Sequence, residues 1–312
     1  MLRILGVVVV LTLLMVVVVP AAAQEPDPTA PNRANIILFV EYIKNRNLPA
    51  LMPLVNAEGY IGHTPFAPEG GHSSIQEMID SEIAMNAAFD LDYTRQLVLA
   101  EGNLTALIGF QEADFTGELF GTAPTGEHYG GNILFISEYE NGLCTRDIEV
   151  WNQIDFMQFM GWAPKDYTFE TQPWAVSLGQ TSTTPAEHHQ MLQAMWDGLA
   201  NGDAAPMAAT YAAEVVTHDF LGTVNGAEAT SAMYSNLAAL PGFTVERSGI
   251  VCEGDLCATG AVTYVDASDS ADEDGRTYIL WTALHRFVDG KIVEEWWMYD
   301  NAALWAVLPP AA

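Results

Sequence analysis

The sequence predicts an α+β protein made of two tandem copies of one module. Each copy is expected to have about three N-terminal helices followed by an antiparallel sheet. In both halves, apolar residues at helical spacing come first and runs with strand-like alternation follow. Turn signals recur at matching places, since Asp289-Gly290 trails Asn141-Gly142 by roughly 150 residues. His218 trails His63 by a similar interval. These correspondences indicate an internal duplication.

The clearest element is a β-hairpin at residues 285–300, HRFVDGKIVEEWWMYD. Asp289-Gly290 supplies the positive φ angles that a tight turn needs. Side chains alternate along the second arm, so Glu295, Trp297 and Tyr299 share one face while Glu294 and Trp296 share the other. Both faces carry large residues, which predicts a strand that is packed between layers or lines a cavity.

The N-terminal residues predict export. Residues 1–23 combine Arg3, a near-continuous apolar run from Ile4 to Val19 and the small residues Ala21 to Ala23, as in a secretory signal peptide. The run of about 16 residues is short for a membrane span, which takes roughly 20. An uncleaved anchor is the alternative. We therefore expect a secreted or cell-envelope protein, with residues 24–33 (QEPDPTAPNR) as a flexible leader.

The charge balance argues against nucleic acid and anionic membrane surfaces as partners. The chain has 40 acidic and 11 basic residues, a formal net charge of −29. Phosphate backbones and anionic membrane surfaces are bound by clustered Lys and Arg, so we predict no nucleic acid partner and no membrane contact beyond the possible N-terminal anchor. The simplest interpretation of the acidity is solubility.

The three cysteines predict one disulfide. Cys252 and Cys257 flank EGDL, and a two-residue turn at Gly254-Asp255 would place them opposite each other on paired strands. Export makes such a bond possible. Cys144 is left over and is expected to be a buried free thiol.

The first module is predicted to span residues 34–160. Its expected elements are a helix from about Ile36, a short helix after Pro49, a short strand ending at His63, the helix 75–89, and strands 93–100, 104–116, 128–139 and 143–153. Residues 161–185 show no sustained period and contain three prolines, so they are predicted to be a linker.

The second module is predicted to span residues 186–308 in the same order. Its expected elements are helices 186–200 and 204–211, the short strand 215–219, the helix 226–240, and strands 243–252, 256–266, 276–288 and 291–299.

With this element order, the chain resembles the SnoaL-like polyketide cyclases of the nuclear transport factor 2-like superfamily. The resemblance is carried by YIGHTPFAPEG (60–70), by AEGNLTALIGFQEADFTGELFGTAPTG (100–126) and by VDGKIVEEWWMYD (288–300). It implies two cone-shaped modules, each with helices packed on a curved antiparallel sheet around a largely apolar pocket. In the family, a histidine and a carboxylate in that pocket act as acid and base on carbonyl or enol substrates.

Carried onto this chain, the resemblance implies His63 and Glu149 as the catalytic pair of the first module, with Asp147 on the same face as Glu149. In the second module Trp297 stands at the acidic position, which departs from the family pattern. The candidate ligand-binding residues there are His218, Asp219, Glu295, Trp297, Tyr299 and Asp300. For each histidine, a hydrogen-bonded structural role is the alternative, and for each aromatic residue it is a place in the core.

Other chemistries lack their motifs. No cluster of His, Cys, Asp or Glu has metal-ligand spacing, so no metal and no cofactor are predicted. Gly-x-Ser-x-Gly is absent, and the glycine pairs lack the context of a phosphate loop.

Two functions stay open. One is an exported binding protein that holds a small hydrophobic ligand, whose two domains pair with each other or form a homodimer. The other is an acid–base enzyme, a cyclase, isomerase or hydrolase acting on a small carbonyl compound through the first module. The two differ in whether His63 and Glu149 face one cavity.

Overall fold

The computed structural model describes residues 28–65, 71–165, 172–203, 205–219, 222–266 and 275–300. The predicted signal peptide, residues 1–23, lies outside these ranges, as do parts of the predicted linker and of the predicted end of the second module. Among the residues that are described, no helix combines the length and the apolar character needed to cross a membrane.

The first half contains helices followed by long strands, as predicted. Its elements are α1 (Thr29–Lys44), a 3-10 helix (Leu48–Leu54), β1 (Ile61–His63), α2 (Ile75–Ala88), β2 (Phe89–Glu101), β3 (Leu104–Phe115), β4 (His128–Glu140), β5 (Leu143–Trp151) and α3 (Gln153–Phe159). The second half repeats the order. Its elements are α4 (Pro185–Ala200), α5 (Ala205–Thr210), β6 (Tyr211–Asp219), β7 (Gly222–Asn225), α6 (Ala227–Ala238), β8 (Thr244–Glu253), β9 (Leu256–Asp266), β10 (Arg276–Val288) and β11 (Lys291–Tyr299).

The two halves have matching sheets. The first sheet has the strand order β1-β5-β4-β3-β2 and the second β7-β6-β11-β10-β9-β8. Both sheets are mixed, whereas antiparallel sheets were predicted. The four long strands of each sheet pair antiparallel, but the short strand joins in parallel: β1 on β5, and β6 on β11. A helix and other elements separate each short strand from its partner, which leaves the chain length for a parallel connection. The α+β class is confirmed.

Three local differences from the sequence prediction occur, and two of them have a physical cause in the structure. Helix α1 begins at Thr29, inside the predicted leader, because Asn32 donates to the carbonyl of Gly102 and Thr29 accepts from its N–H. Helix α3 replaces the end of a predicted strand, because the Asn152 side chain accepts from the backbone N–H of Asp155 and caps it. Strand β7 at the sheet edge was not predicted.

The turns and the disulfide are as predicted. Asn141-Gly142 and Asp289-Gly290 have positive φ at both positions. Cys252 lies opposite Cys257 in the β8–β9 ladder, and their sulfur atoms are bonded. Cys144 is a buried free thiol.

Each half has its own apolar core between its helices and one face of its sheet. A third cluster lies between the opposite faces of the two sheets. It joins residues of both halves, including Ile108, Leu134 and Val150 of the first sheet and Leu280, Trp296 and Met298 of the second. Hence both faces of each sheet are covered, which explains the large side chains on both faces of β11.

Polar contacts surround the packed sheets. Arg33 forms an ion pair of 2.5 Å with Glu253, and Arg146 forms one of 3.1 Å with Glu246. The chain between the halves contributes as well, because Trp174 is buried in the shared cluster with its ring centroid 6.1 Å from that of Trp296. The predicted linker is thus packed between the two sheets at Trp174.

Candidate functional site

A cavity lies in the first half, between α2 and the helix-covered face of the sheet. It has an empty volume of about 870 Å³, including its opening to solvent. Its apolar wall includes Met78, Met85, Phe89, Leu91, Phe156 and Trp162. Its polar and titratable lining groups include His72, Glu82, Tyr93, Gln111, Tyr129 and Glu149.

Glu82 enters this cavity from the apolar stripe of α2. The helix starts at the Ser74 cap, whose side chain accepts from the backbone N–H of Glu77. Residues spaced by three or four positions then face the core, and Met78, Glu82 and Met85 share that face. One carboxylate oxygen of Glu82, Oε2, is buried and has no hydrogen-bond partner. An acidic group therefore occupies a position that an apolar side chain would normally take.

Glu149 reaches the same cavity from β5. Asp147 and Glu149 alternate with Ile148 along the strand, so both carboxyls are on the helix-covered face. Glu149 lines the cavity and accepts a hydrogen bond from Trp151. Asp147 is deeper, where the hydroxyl of Tyr60 donates to its two oxygens at 2.9 and 2.8 Å. Asp147 is not among the residues that line the cavity.

Burial gives these carboxyls unusual acidities. Loss of solvation raises the pKa of Glu82 to about 7. Burial also raises the pKa of Glu149 well above its usual value, and the charges of Glu82 and Asp147 raise it further. The pKa of Asp147 is raised by burial to about 7, against the opposing effect of the Tyr60 hydrogen bond. The site therefore holds one carboxyl, Glu82, that exchanges a proton near neutral pH.

Neutral polar groups complete the wall. Tyr93 and Tyr129 line the cavity, and burial raises the pKa of both phenols, so both are neutral at pH 7. Gln111 donates to the hydroxyl of Tyr129 at 3.4 Å. Burial lowers the pKa of His72, which favours its neutral imidazole. The arrangement offers donors and proton acceptors on an otherwise apolar surface.

His63 is not part of this site, contrary to the prediction that it pairs with Glu149. In the parallel register of β1 on β5, His63 lies opposite Ile148, whose side chain belongs to the cluster between the sheets. His63 therefore faces the second sheet, where its Nε2 is 3.5 Å from Arg146 Nη2. Burial and the Arg146 charge lower the pKa of His63 to about 4. His63 and Glu149 are separated because side chains alternate along β5: His63 shares the face of Ile148, and Glu149 is on the opposite face.

In the second half, Glu295 stands at the position of Asp147 and is enclosed in a hydrogen-bond network. Glu295 is fully buried and accepts from Thr217 at 2.9 Å, Tyr211 at 3.1 Å and Tyr234 at 3.3 Å. His285 Nδ1 lies 3.1 Å from the same carboxylate. Both oxygens of Glu295 thus have partners within the protein, in contrast to Glu82.

The aromatic residues predicted to bind ligand in the second half lie in its core. The Trp297 ring packs edge-on against Tyr234 at 4.1 Å between centroids, and Trp281 packs on both Trp297 and Tyr299. The Tyr299 hydroxyl donates to Asp219 at 3.0 Å. These side chains pack together on the helix-covered face of the second sheet.

The remaining candidate ligand-binding residues of the second half do not meet at one site on the helix-covered face. His218 faces the first sheet, stacks on Trp296 and lies 3.1 Å from Glu294. The backbone N–H of Asp300 donates to Leu280 at the end of the sheet. A smaller depression of about 440 Å³ at the junction of the halves brings His218, Asp219 and Trp297 together with groups of the first half.

One group of potential metal ligands occurs among the described residues. Glu101, His189 and Cys252 bring their ligand atoms within 4.8 Å of one another. Cys252 is bonded to Cys257, and Glu101 accepts from the Cys252 backbone N–H at 2.8 Å. The sulfur is therefore not available as a thiolate ligand.

Sequence reasoning missed Glu82, His72 and the two pocket tyrosines. For Glu82 a signal was present. It stands in register with Ile75, Met78 and Met85 on a helix whose other acidic residues are off this stripe, and an acidic residue on a core-facing stripe indicates a site. His72, Tyr93 and Tyr129 carried no comparable signal, because they come from separate segments that only the fold brings together.

Comparison with known families supports the predicted resemblance. Residues 192–295 match the family model of the SnoaL-like domain, so the second half contains a SnoaL-like domain. No curated protein matches the chain. The first half repeats the sheet order of the second, apart from the additional edge strand β7.

Several solved structures are similar over one half of the chain. AclR from Streptomyces galilaeus is 20% identical over 44% of this chain and 85% of its own, with a TM-score of 0.39. IdmH from Streptomyces antibioticus is 18% identical over 42% of this chain and 98% of its own, with a TM-score of 0.37. A SnoaL-like polyketide cyclase from Agrobacterium tumefaciens is 10% identical over 41% and 95%, with a TM-score of 0.35.

Proposed function

We propose that the first half binds one small, largely apolar molecule and that the second half is its structural partner. The observation that supports this division is the difference between the two helix-covered faces. In the first half this space is a cavity with the carboxyls of Glu82 and Glu149 in its wall. In the second half it is filled by Tyr234, Trp297 and the hydrogen-bonded Glu295.

The second half has a clear role in this proposal. The outer face of the first sheet carries Ile108, Leu134 and Val150, and exposure of such a face would favour aggregation. The second sheet covers this face, and the ion pair between Arg33 and Glu253 closes one edge. The two halves of one chain therefore pair with each other through their sheets.

Acid–base catalysis in the first half is the second candidate, and the acidity of Glu82 favours it. A pKa of about 7 lets this carboxyl both accept and donate a proton at neutral pH. Glu149, whose pKa burial raises well above its usual value, would donate a hydrogen bond to a carbonyl oxygen in its protonated form. In this candidate mechanism Glu82 and Glu149 act as the acid and base, and His63 does not take part because it faces the second sheet.

We also propose that the chain is exported. The signal-peptide pattern of residues 1–23 supports this, and the disulfide between Cys252 and Cys257 is a bond that persists in an oxidising compartment. N-terminal sequencing of the protein from its own host tests this proposal. A mature chain that begins near Gln24 is expected, and a cytoplasmic protein that retains Met1 would contradict it.

Ligand binding is tested with a neutral apolar probe, 1-naphthylmethanol, by isothermal titration calorimetry. One molecule per chain is expected. Leu91→Trp places a larger ring in the cavity wall and should weaken binding at least tenfold. Leu240→Trp, at a partly buried position beside the core of the second half, is the matched control and should bind as the wild type does. Two probes per chain, or binding that Leu91→Trp leaves unchanged, would contradict the proposal.

A further inference from the structure

We infer that the ligand of the first half is a hydrophobic amine, which places its ammonium group between Glu82 and Glu149 and its apolar part against the aromatic wall. The inference rests on the proposed function, since it names the chemical class of the molecule that the cavity holds. It is carried by the charges, the unpaired acceptor and the rings that meet in this cavity.

The first argument is charge. Two carboxyls, Glu82 and Glu149, line the cavity, while its described lining contains no Lys and no Arg. Asp147 lies behind Glu149 and adds to the negative potential there. A cation among these groups would offset the loss of solvation that they undergo on burial. An anionic ligand would face repulsion, both locally and from the formal net charge of −29.

The second argument is an unused acceptor. Oε2 of Glu82 is buried without a hydrogen-bond partner. Buried carboxylate oxygens are normally bonded, and an unpaired one in a cavity wall marks the place of a donor that the ligand brings. An ammonium group has three N–H donors and no acceptor, so it matches this wall. By comparison, Glu295 in the second half has its donors supplied by the protein.

The third argument is the aromatic lining. Phe89, Tyr93, Tyr129, Trp151 and Phe156 all contribute to the cavity, and Trp162 stands at its rim with a partly exposed ring. Aromatic faces attract ammonium ions through their quadrupoles and also pack against the apolar part of a ligand. Carboxyls and rings in one cavity therefore favour an amine over a neutral apolar molecule of the same shape.

The test compares matched probes. 1-Naphthylmethylamine carries an ammonium group at pH 7.5, 1-naphthylmethanol has a hydroxyl at the same position, and 1-naphthylacetic acid carries a negative charge. Titration calorimetry of the full chain should give binding of the amine at least tenfold tighter than that of the alcohol, and no measurable binding of the acid. The titratable groups in the wall are His72, Glu82, Tyr93, Tyr129 and Glu149, with Asp147 behind them.

Variants of Glu82 and Glu149 test whether these carboxyls cause the preference for the amine over the alcohol. Glu82→Gln and Glu149→Gln keep the shape of the side chain but cannot ionise opposite an ammonium, so each should reduce the preference for the amine, and the double variant should abolish it. Glu58→Gln, at an exposed position of the first half, is the matched control and should keep it. The amine should also displace protons from the wild type at pH 7, because an ammonium favours ionised Glu82. Titrations in phosphate and in Tris measure this release.

The outcomes separate this inference from the proposed function. If the alcohol binds in the cavity and the amine binds no tighter, the amine inference is overturned and the binding function stands. The same holds if the preference survives in the double variant, or if the acid binds best. If no probe binds the wild type, both are overturned.

Discussion

Glu82 on α2 and Glu149 on β5 line one cavity, and the charge of Glu82 raises the pKa of Glu149. The two carboxyls come from a helix and a strand that are far apart in sequence. The described wall of the cavity contains no Lys and no Arg. This relationship is the basis of both the binding proposal and the catalytic alternative.

The stability of the free protein should fall as the pH rises from about 5 to 8. Burial raises the pKa of Glu82 and of Asp147 to about 7, so the folded chain keeps protons that the unfolded chain releases between pH 4 and 7. Stability then decreases as pH rises through this window. Chemical denaturation at pH 5 and pH 8 should show a free energy of unfolding lower by roughly 1–3 kcal/mol at pH 8.

Glu82→Gln separates this effect from general charge repulsion. The amide resembles the protonated carboxyl, so the variant should match the wild type at pH 5 and be more stable than it at pH 8. Glu58→Gln removes one negative charge at an exposed position and should leave the pH dependence unchanged. Equal slopes in all three proteins would show that Glu82 does not titrate as described.

Tyr60→Phe should destabilise the first half, and more so at high pH. Its hydroxyl donates to both oxygens of the buried Asp147, at 2.9 and 2.8 Å. Loss of this donor should cost about 1–3 kcal/mol in the free energy of unfolding, with the larger cost at pH 8, where Asp147 is ionised. Tyr42→Phe, at a partly buried position outside this contact, is the control. The prediction is wrong if both variants unfold alike at pH 8.

Trp296→Ala should weaken the packing between the two sheets. This side chain is buried between Trp174 and His218, with Arg286 over its ring. Removal of a buried Trp typically costs about 3–5 kcal/mol. Trp162→Ala, at a position that is 37% exposed, should cost far less. Guanidinium denaturation of both variants measures the difference, and a cost below that of Trp162→Ala would contradict the buried interface.

Reduction of the disulfide should have a modest effect. Cys252 and Cys257 are only five positions apart, so the bond closes a short loop. A loop of this size corresponds to roughly 2 kcal/mol in the chain-entropy estimate. The double variant Cys252→Ser, Cys257→Ser should fold with a lower midpoint of thermal unfolding. Intact mass with and without reductant tests the bond itself, and identical masses would disprove it.

The elements of this fold were largely predictable because local rules determine them. The strands 276–288 and 291–299 follow from alternation and from the Asp289-Gly290 turn, and the observed β10 and β11 have the same bounds. The Cys252–Cys257 bond follows from a two-residue turn. The parallel pairing of β1 and β6 is non-local, and no short-range pattern determined it.

The site was less predictable, because it depends on which face each side chain occupies. His63 ends a strand of three residues, too short for its own alternation to set its face, and only the register on β5 does so. Glu149 was predicted and does line the cavity. Glu82 could have been predicted only by searching the apolar stripe of α2 for an acidic residue.

The most direct measurement is a crystal structure of the chain with 4-bromo-1-naphthylmethylamine, in which anomalous scattering locates the bromine atom. Our account predicts one bromine site per chain, in the cavity between α2 and the first sheet, with the amine nitrogen within hydrogen-bond distance of Glu82 or Glu149. A bromine site inside the second half, or only in the depression at the junction of the halves, would contradict the account.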